Sequence, residues 1–163
     1  MISRVELSLP LQEQLHTESL RAYPGECCGL LEGFVEDGHL RVVALHPMPN
    51  RATQPDRFEI DPAAHIALLR NLRGEAREII GCYHSHPNGR AAPSDRDHES
   101  ANEDGFLWLI TVVHGETQVA NTTAFVFDNR RFFALPIVHR LPWTAAVSRS
   151  RSSSLDRLGV RPI

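Results

Sequence analysis

Two histidines two residues apart, His84 and His86, follow the apolar run Ile79-Ile80-Gly81-Cys82-Tyr83 and are followed at once by Pro87. The run reads as a buried strand. Residues i and i+2 of a strand share a face, and two residues of rise span ~6.6 Å, so both imidazoles can converge on one ion. Pro87 cannot continue a central strand. The chain is therefore expected to leave the sheet just after His86, with the histidines at a strand end where a rigid scaffold presents reactive groups.

A hydrolytic zinc site uses three protein ligands and keeps a fourth position open. His84 and His86 could supply two nitrogens, and Asp97, in the first turn of a following helix, a carboxylate oxygen. Neutral imidazole and carboxylate suit zinc, which retains net positive charge in such a set and lowers the pKa of its water to ~7. The chemistry also needs a proton acceptor and a donor to the developing oxyanion. Ser94, three residues before Asp97, is the candidate donor. Glu26 is the candidate acceptor, placed directly after a Pro24-Gly25 break and before the first long strand. Each residue also has a plain structural account. Histidine pairs occur on ordinary surfaces, and Ser94-Asp95-Arg96-Asp97 is a helix-capping pattern, with Ser at N-cap and an acid at N3. The cap and the ligand reading are compatible, since a helix N-terminus holds both side chains in fixed positions.

The remaining pattern supplies the elements that must hold these groups. Leu9–Leu20 reads as a helix with Pro10 near its start and apolar positions 11, 15 and 20, ended by Pro24-Gly25. Cys27–Phe34 reads as a strand that turns at Asp37-Gly38 and returns antiparallel as Leu40–Leu45. Residues 47–57 are a loop, Phe58–Ile60 a short strand, and Asp61-Pro62 the start of a helix through Leu72, with Ile66, Leu69 and Leu72 on one side. Glu78–His84 is the central strand, and a helix runs from Ser94 to about Glu103. Phe106–Val113 is an apolar strand, and Ala120–Phe127 and Arg131–Val138 flank a hairpin turn at Asp128-Asn129. This order of elements gives a single-domain α/β fold with a mixed sheet packed between helices, over residues 1–143. Residues 144–163 form a Ser/Arg-rich tail of solvated composition.

At 163 residues and 42% hydrophobic content, the chain suits one packed domain. No apolar run approaches the ~20 residues of a membrane span, and no signal peptide is indicated, so the expected setting is cytoplasmic. Cys27, Cys28 and Cys82 fit neither a disulfide framework nor a zinc knuckle and are expected to be reduced. The net charge of −3 argues against nucleic acid. Residues 144–163 carry net +3, which leaves −6 on the body. All 17 basic residues are arginine. Codon bias accounts for that, and so does avoidance of self-modification in a pathway that conjugates proteins to lysines.

H-S-H-P, six residues, Ser, two residues, Asp, from His84 to Asp97, resembles the JAMM (MPN+) metalloprotease motif without departure. Pro24-Gly25-Glu26-Cys27-Cys28-Gly29-Leu30-Leu31 resembles the family segment that carries its glutamate. Asn50, Arg57-Phe58 and Asp61-Pro62 are similar to a stretch in small prokaryotic members. The resemblance covers residues 5–136. It implies the cytidine-deaminase-like JAMM/MPN fold and one zinc ion per chain on His84, His86 and Asp97. It also implies Glu26 as general base toward a zinc-activated water and Ser94 as hydrogen-bond donor to the tetrahedral intermediate. The implied substrate is a bacterial ubiquitin-like protein cut after its C-terminal Gly-Gly, to deconjugate it from targets or mature a precursor, with activating and conjugating enzymes as further partners. Asn50 and Arg57 are candidates for lining the substrate groove, laid beside a sheet edge. Two alternatives stand: a peptidase that releases cysteine or C-terminal residues from a sulfur-carrier protein, and a non-catalytic MPN binding module. Nucleoside deamination lacks its H-x-E and P-C-x-x-C pattern. Among further side chains, His98 stands beside Asp97, while His46 and His65 have no convergent partner in the pattern.

Overall fold

The structure is a computed structural model that describes residues 2–141. The expected tail of residues 144–163 lies outside the described residues. The chain runs β1 (Arg4–Ser8), α1 (Leu9–Ala22), β2 (Cys28–Glu36), β3 (His39–Met48), α2 (Pro62–Asn71), β4 (Glu78–His86), α3 (Asp95–Ser100), β5 (Leu107–His114), β6 (Gln118–Asp128), β7 (Arg131–Leu135) and β8 (Ile137–Arg140). These strands form one mixed sheet in the order β7-β6-β5-β4-β2-β3-β1-β8. No helix among the described residues is long and apolar enough to cross a membrane.

The sheet has a core on each face. Leu31, Tyr83, Leu107 and Leu109 point to one, with Leu15 of α1 among them. Leu30, Cys82, Trp108 and Phe127 point to the other, where Leu68 of α2 and Ala101 after α3 pack. The mixed sheet thus lies between helices, as the sequence pattern implies. Register between β2 and β4 shifts between Leu31 and Glu32, so Ile80 has no pair opposite it. A bulge inserts one residue and reverses the alternation, which explains why Ile79 and Cys82 reach the same core although they are three residues apart.

Three local expectations are corrected. Phe58–Ile60 is not a strand; its contribution is one bridge between Asn50 and Ile60. In α2 the inward residue is Leu68, whereas Ile66 and Leu69 are about half exposed. The expected strand Arg131–Val138 breaks at Pro136. β7 pairs with β6 at one end of the sheet order, and β8 pairs in parallel with β1 at the other. One ten-residue stretch thus touches both edges, and the sheet curls to bring them together. Pro136 offers no N–H to a ladder, but its carbonyl accepts from Val5 N–H at 2.9 Å.

β1, which the sequence pattern did not reveal, carries the charge that ties this closure. Glu6 is 2% exposed. Its carboxylate meets Arg41 at 2.6 Å, Arg4 at 3.2 Å and Arg140 at 3.2 Å. Burial pushes its pKa up, but the hydrogen bonds and charges of Arg41, Arg4 and Arg140 outweigh burial and hold it below the ordinary value. A depressed carboxyl pKa contributes stability that is present above the unfolded-state pKa and lost as pH falls through the folded-state value. Glu6→Gln is expected to lower stability by about 1 kcal/mol at pH 7, since the arginines it leaves behind are exposed enough to be hydrated. Denaturant unfolding of both proteins should show that gap closing as the pH is taken into the acid range.

Candidate active site

The site forms where the C-terminal end of β4 meets the start of β2. Cys28 stands opposite His84 in the antiparallel pair, and His84 and His86 stand opposite Ile110 and Val112 of parallel β5. β2 and β5 hold β4 between them, so the histidines lie at the end of a central strand.

α3 brings Asp97. Ser94 caps it by reciprocal bonds: Asp97 N–H donates to Ser94 Oγ (3.2 Å), and Ser94 N–H donates back to Asp97 Oδ2 (2.6 Å). The Ser94 hydroxyl also donates to Oδ2 (2.7 Å). Cap and candidate ligand are thus one device: the bonds that start the helix also orient the carboxylate.

Among the described residues, His84, His86 and Asp97 bring ligand atoms within 4.8 Å of one another, all buried. His84 Nε2 is 2.9 Å from His86 Nε2 and 3.3 Å from Asp97 Oδ1, and His86 Nε2 is 3.5 Å from Asp97 Oδ2. Ligands at ~2.0–2.1 Å from a tetrahedral ion stand roughly 3.3 Å apart, so the spacing fits a small divalent cation. The donor set fits as well. His86 Nδ1 lies 2.7 Å from the Arg90 carbonyl, which only accepts, so Nδ1 carries a proton and neutral His86 turns a lone pair inward. Such a partner on the outer ring nitrogen is the usual support of a ligating histidine. Among the described residues His84 Nδ1 is buried without a partner, so this ring is held by packing, with Phe58 stacked on it at 4.4 Å between centroids. Lone pairs and a carboxylate converge on a point that only a cation or a proton can satisfy.

The electrostatics agree. Burial would raise Asp97, but His84, His86 and the Ser94 N–H hold its carboxyl well below the usual carboxylate range. Burial keeps His84 below its ordinary value. Burial lowers His86 too, yet Asp97 and the Arg90 carbonyl more than offset it.

Glu26 lies between α1 and β2 and is 7% exposed. Burial pushes its carboxyl up to about 7; His86 opposes this, while Asp97 and Asp56 add to it. A carboxyl poised there can both take and return a proton near neutrality. It opens on a cleft of about 290 Å³ lined by Asp56, Arg57, Phe58, Ser94 and Asp97.

Other candidates separate. Arg57 lines the cleft, but Asn50 turns into the chain: its Nδ2 donates to the carbonyls of Glu26 (3.0 Å) and Arg57 (2.8 Å), and its Oδ1 accepts from Ala52 and Glu59 N–H. Cys82 is buried in the apolar core. His98 packs its ring against Phe132, and Asp61 caps α2 through Ala63 N–H. His46, expected to stand alone, pairs with buried Glu32 at 2.7 Å, and His65 lines a neighbouring apolar groove. Sequence reasoning missed Phe58 as a ring support and Ser85, which is fully buried between the histidines. The available signal was a polar residue inside a buried strand, which needs a partner.

Comparison with known proteins gives a consistent picture. The model of prokaryotic homologues of the JAB domain matches residues 8–128. A desampylase of Haloferax volcanii is 37% identical over 89 residues, 53% of this chain and 62% of that protein. A desampylase of Pyrococcus furiosus is 33% identical over 56% of this chain and 62% of its own length. The chain thus spans less than two thirds of these two relatives. A probable TtuB-protein conjugate cleaving protease of Thermus thermophilus is 36% identical over 77% of this chain and 72% of its own length. A solution structure from Salinibacter ruber superposes with a TM-score of 0.64 at 32% identity, over 85% of this chain and 92% of that one. Another, from Desulfitobacterium hafniense, gives 0.73 at 24% identity over 83% and 92%, a likeness of fold.

Zinc titration against a chromophoric chelator is expected to show one site per chain. His84→Ala should abolish it, and Ser94→Ala, which removes one of the two Ser94 hydrogen bonds that orient the Asp97 carboxylate, should weaken it by about 10-fold.

Proposed function

The chain belongs to the family of prokaryotic homologues of the JAB domain, and on that premise we propose that it is a zinc-dependent isopeptidase that cuts after the C-terminal Gly-Gly of a ubiquitin-like protein. The observation that carries this reading is the buried Glu26 carboxyl sharing a cleft with the three-donor cation site. The names of the three relatives, two desampylases and a conjugate-cleaving protease, favour conjugates over precursors as substrate.

His84, His86 and Asp97 would hold the zinc, which when bound supplies Lewis acidity toward water and toward a carbonyl oxygen. The chain's own groups do the rest. Glu26 takes a proton from the attacking water as its oxygen bonds to the carbonyl carbon. Glu26 returns that proton to the nitrogen as the C–N bond breaks, leaving a carboxylic acid and a free amine; water's second proton passes from that acid to the amine, so the products separate as carboxylate and ammonium. The Ser94 hydroxyl, which donates to Asp97 Oδ2, is the candidate donor to the oxyanion. On turning away it leaves Oδ2 still held by the Ser94 N–H. Arg57 lines the path to the site. An adjoining apolar groove of about 350 Å³ shares Phe58, Glu59 and Ser100 with the cleft. It offers room for an extended tail that lies across strand ends rather than along a sheet edge.

The test pairs a lysine isopeptide of a Gly-Gly-terminated ubiquitin-like protein with linear Gly-Gly-X fusions, including Gly-Gly-Cys. Wild-type protein should cleave the isopeptide and lose activity on chelation, with zinc restoring it. Glu26→Gln should retain the metal while kcat falls roughly 10³-fold. A variant that keeps its rate removes Glu26 from the mechanism. Exclusive cleavage of Gly-Gly-Cys would move the protein to sulfur-carrier processing, and cleavage of nothing would make it a binding module.

A further inference from the structure

Glu26 must deliver its carboxyl to one spot, yet no hydrogen bond among the described residues holds that carboxyl, and Glu26 lies outside every helix and strand. Its backbone therefore has to aim it. The peptide unit joining Glu26 to Cys27 is gripped at both ends by side chains. Its carbonyl accepts from Asn50 Nδ2 at 3.0 Å, and its N–H donates to Ser85 Oγ at 2.9 Å. A peptide unit is planar, so fixing both ends fixes the plane and the place of the Glu26 Cα within it, and the hold on the preceding residue limits the remaining rotation about Cα–C that aims Cβ. Ser85 N–H also donates to the Cys27 carbonyl (3.1 Å), and Gly25 N–H to that of Ala22 (2.8 Å), securing the chain on either side.

Both grips come from segments that build the rest of the site. Ser85 lies between His84 and His86, and strand alternation turns it to the opposite face. The strand that offers two ligands thus also holds the residue next to Glu26. Asn50 meanwhile binds the Arg57 carbonyl and the Glu59 N–H, flanking Phe58, whose ring stacks on His84.

We propose that Ser85 and Asn50 are positioning residues that act through Glu26, setting its carboxyl relative to the His84–His86–Asp97 group by clamping the Glu26–Cys27 peptide. The inference rests on the peptidase reading for its kinetic readout and carries a second readout independent of it.

Ser85→Ala removes the acceptor at one end of the clamp. Asn50→Asp removes the donor at the other while keeping the Oδ1 contacts, so either variant can decide the matter if its counterpart fails to fold. Each should lower kcat 10- to 100-fold, as a displacement of about 1 Å does, with KM and zinc content unchanged within about 3-fold. In a Glu26→Gln background, where nothing remains to position, each should change the residual rate by less than about 3-fold. Native-state hydrogen exchange should show the Cys27 amide of Ser85→Ala exchanging at least about 10-fold faster, with the β5 amides unaltered. Equal losses in the wild-type and Glu26→Gln backgrounds would overturn the proposal, and so would an unchanged Cys27 amide. A wild-type protein inactive on every substrate would overturn the peptidase reading instead, and the Cys27 amide would then decide the clamp alone.

Discussion

Everything at the site depends on one register, Cys28 opposite His84 in the β2–β4 pair. A slip of one residue in a sheet sends every side chain to the other face. It would turn both histidines into the α1 core and carry Ser85 away from the Cys27 amide. The register is enforced by burial on both faces of β4, with Tyr83 packed on one side and Cys82 on the other. Gly29, paired with Tyr83, contributes by absence: a Cβ there would lie 2.4 Å from the tyrosine ring. Tyr83 crosses this gap, and its hydroxyl donates to Glu18 of α1, so the strand beneath the site is fixed to the helix as well as to its neighbours.

The same rigidity lets the molecule keep groups where folding alone would not place them. His84, His86, Asp97 and the Glu26 carboxyl are all nearly excluded from water. Burying an ionisable group is costly unless it is paired, and here the pairing is incomplete: among the described residues His84 Nδ1 has no partner, and burial pushes the Glu26 carboxyl up. The stability to tolerate this comes from elsewhere, from the apolar core around Leu15, Leu107 and Leu109 and from the satisfied charge of Glu6, which fastens the curled sheet at its closing edge.

The irregular segment from residue 49 to 61 is more than a connection between β3 and α2. Asn50 organises it, spending its amide on four backbone groups. The result places Phe58 against His84 and Arg57 in the cleft. Loops carry function when a scaffold holds them; here the Asn50 side chain ties the loop to the backbone of Glu26, and the Arg51 N–H to the Glu59 carbonyl closes it on itself.

Local features were legible in the chain. H-x-H before a proline marks two imidazoles on one face at a strand end, because strand alternation is a two-residue rule. Ser94 and Asp97 mark a capped helix, because a capping box spans four residues. Asp61-Pro62 marks a helix start for the same reason. Glu26 was reachable from its place after Pro24-Gly25 and from a family resemblance, not from any periodicity. What the tertiary structure alone decided is non-local. The parallel pairing of β1 with β8 joins residues more than 130 positions apart, and no pattern in Arg4–Ser8 foretells its partner. The break at Pro136 was visible, but not that the chain beyond it changes edges. Asn50 looked like a groove residue and is a backbone anchor; Ser85 looked like a spacer and meets Cys27, 58 positions away. Hydrogen bonds of that reach depend on which strands lie side by side, and that is settled by the burial of whole faces rather than by any short stretch of residues.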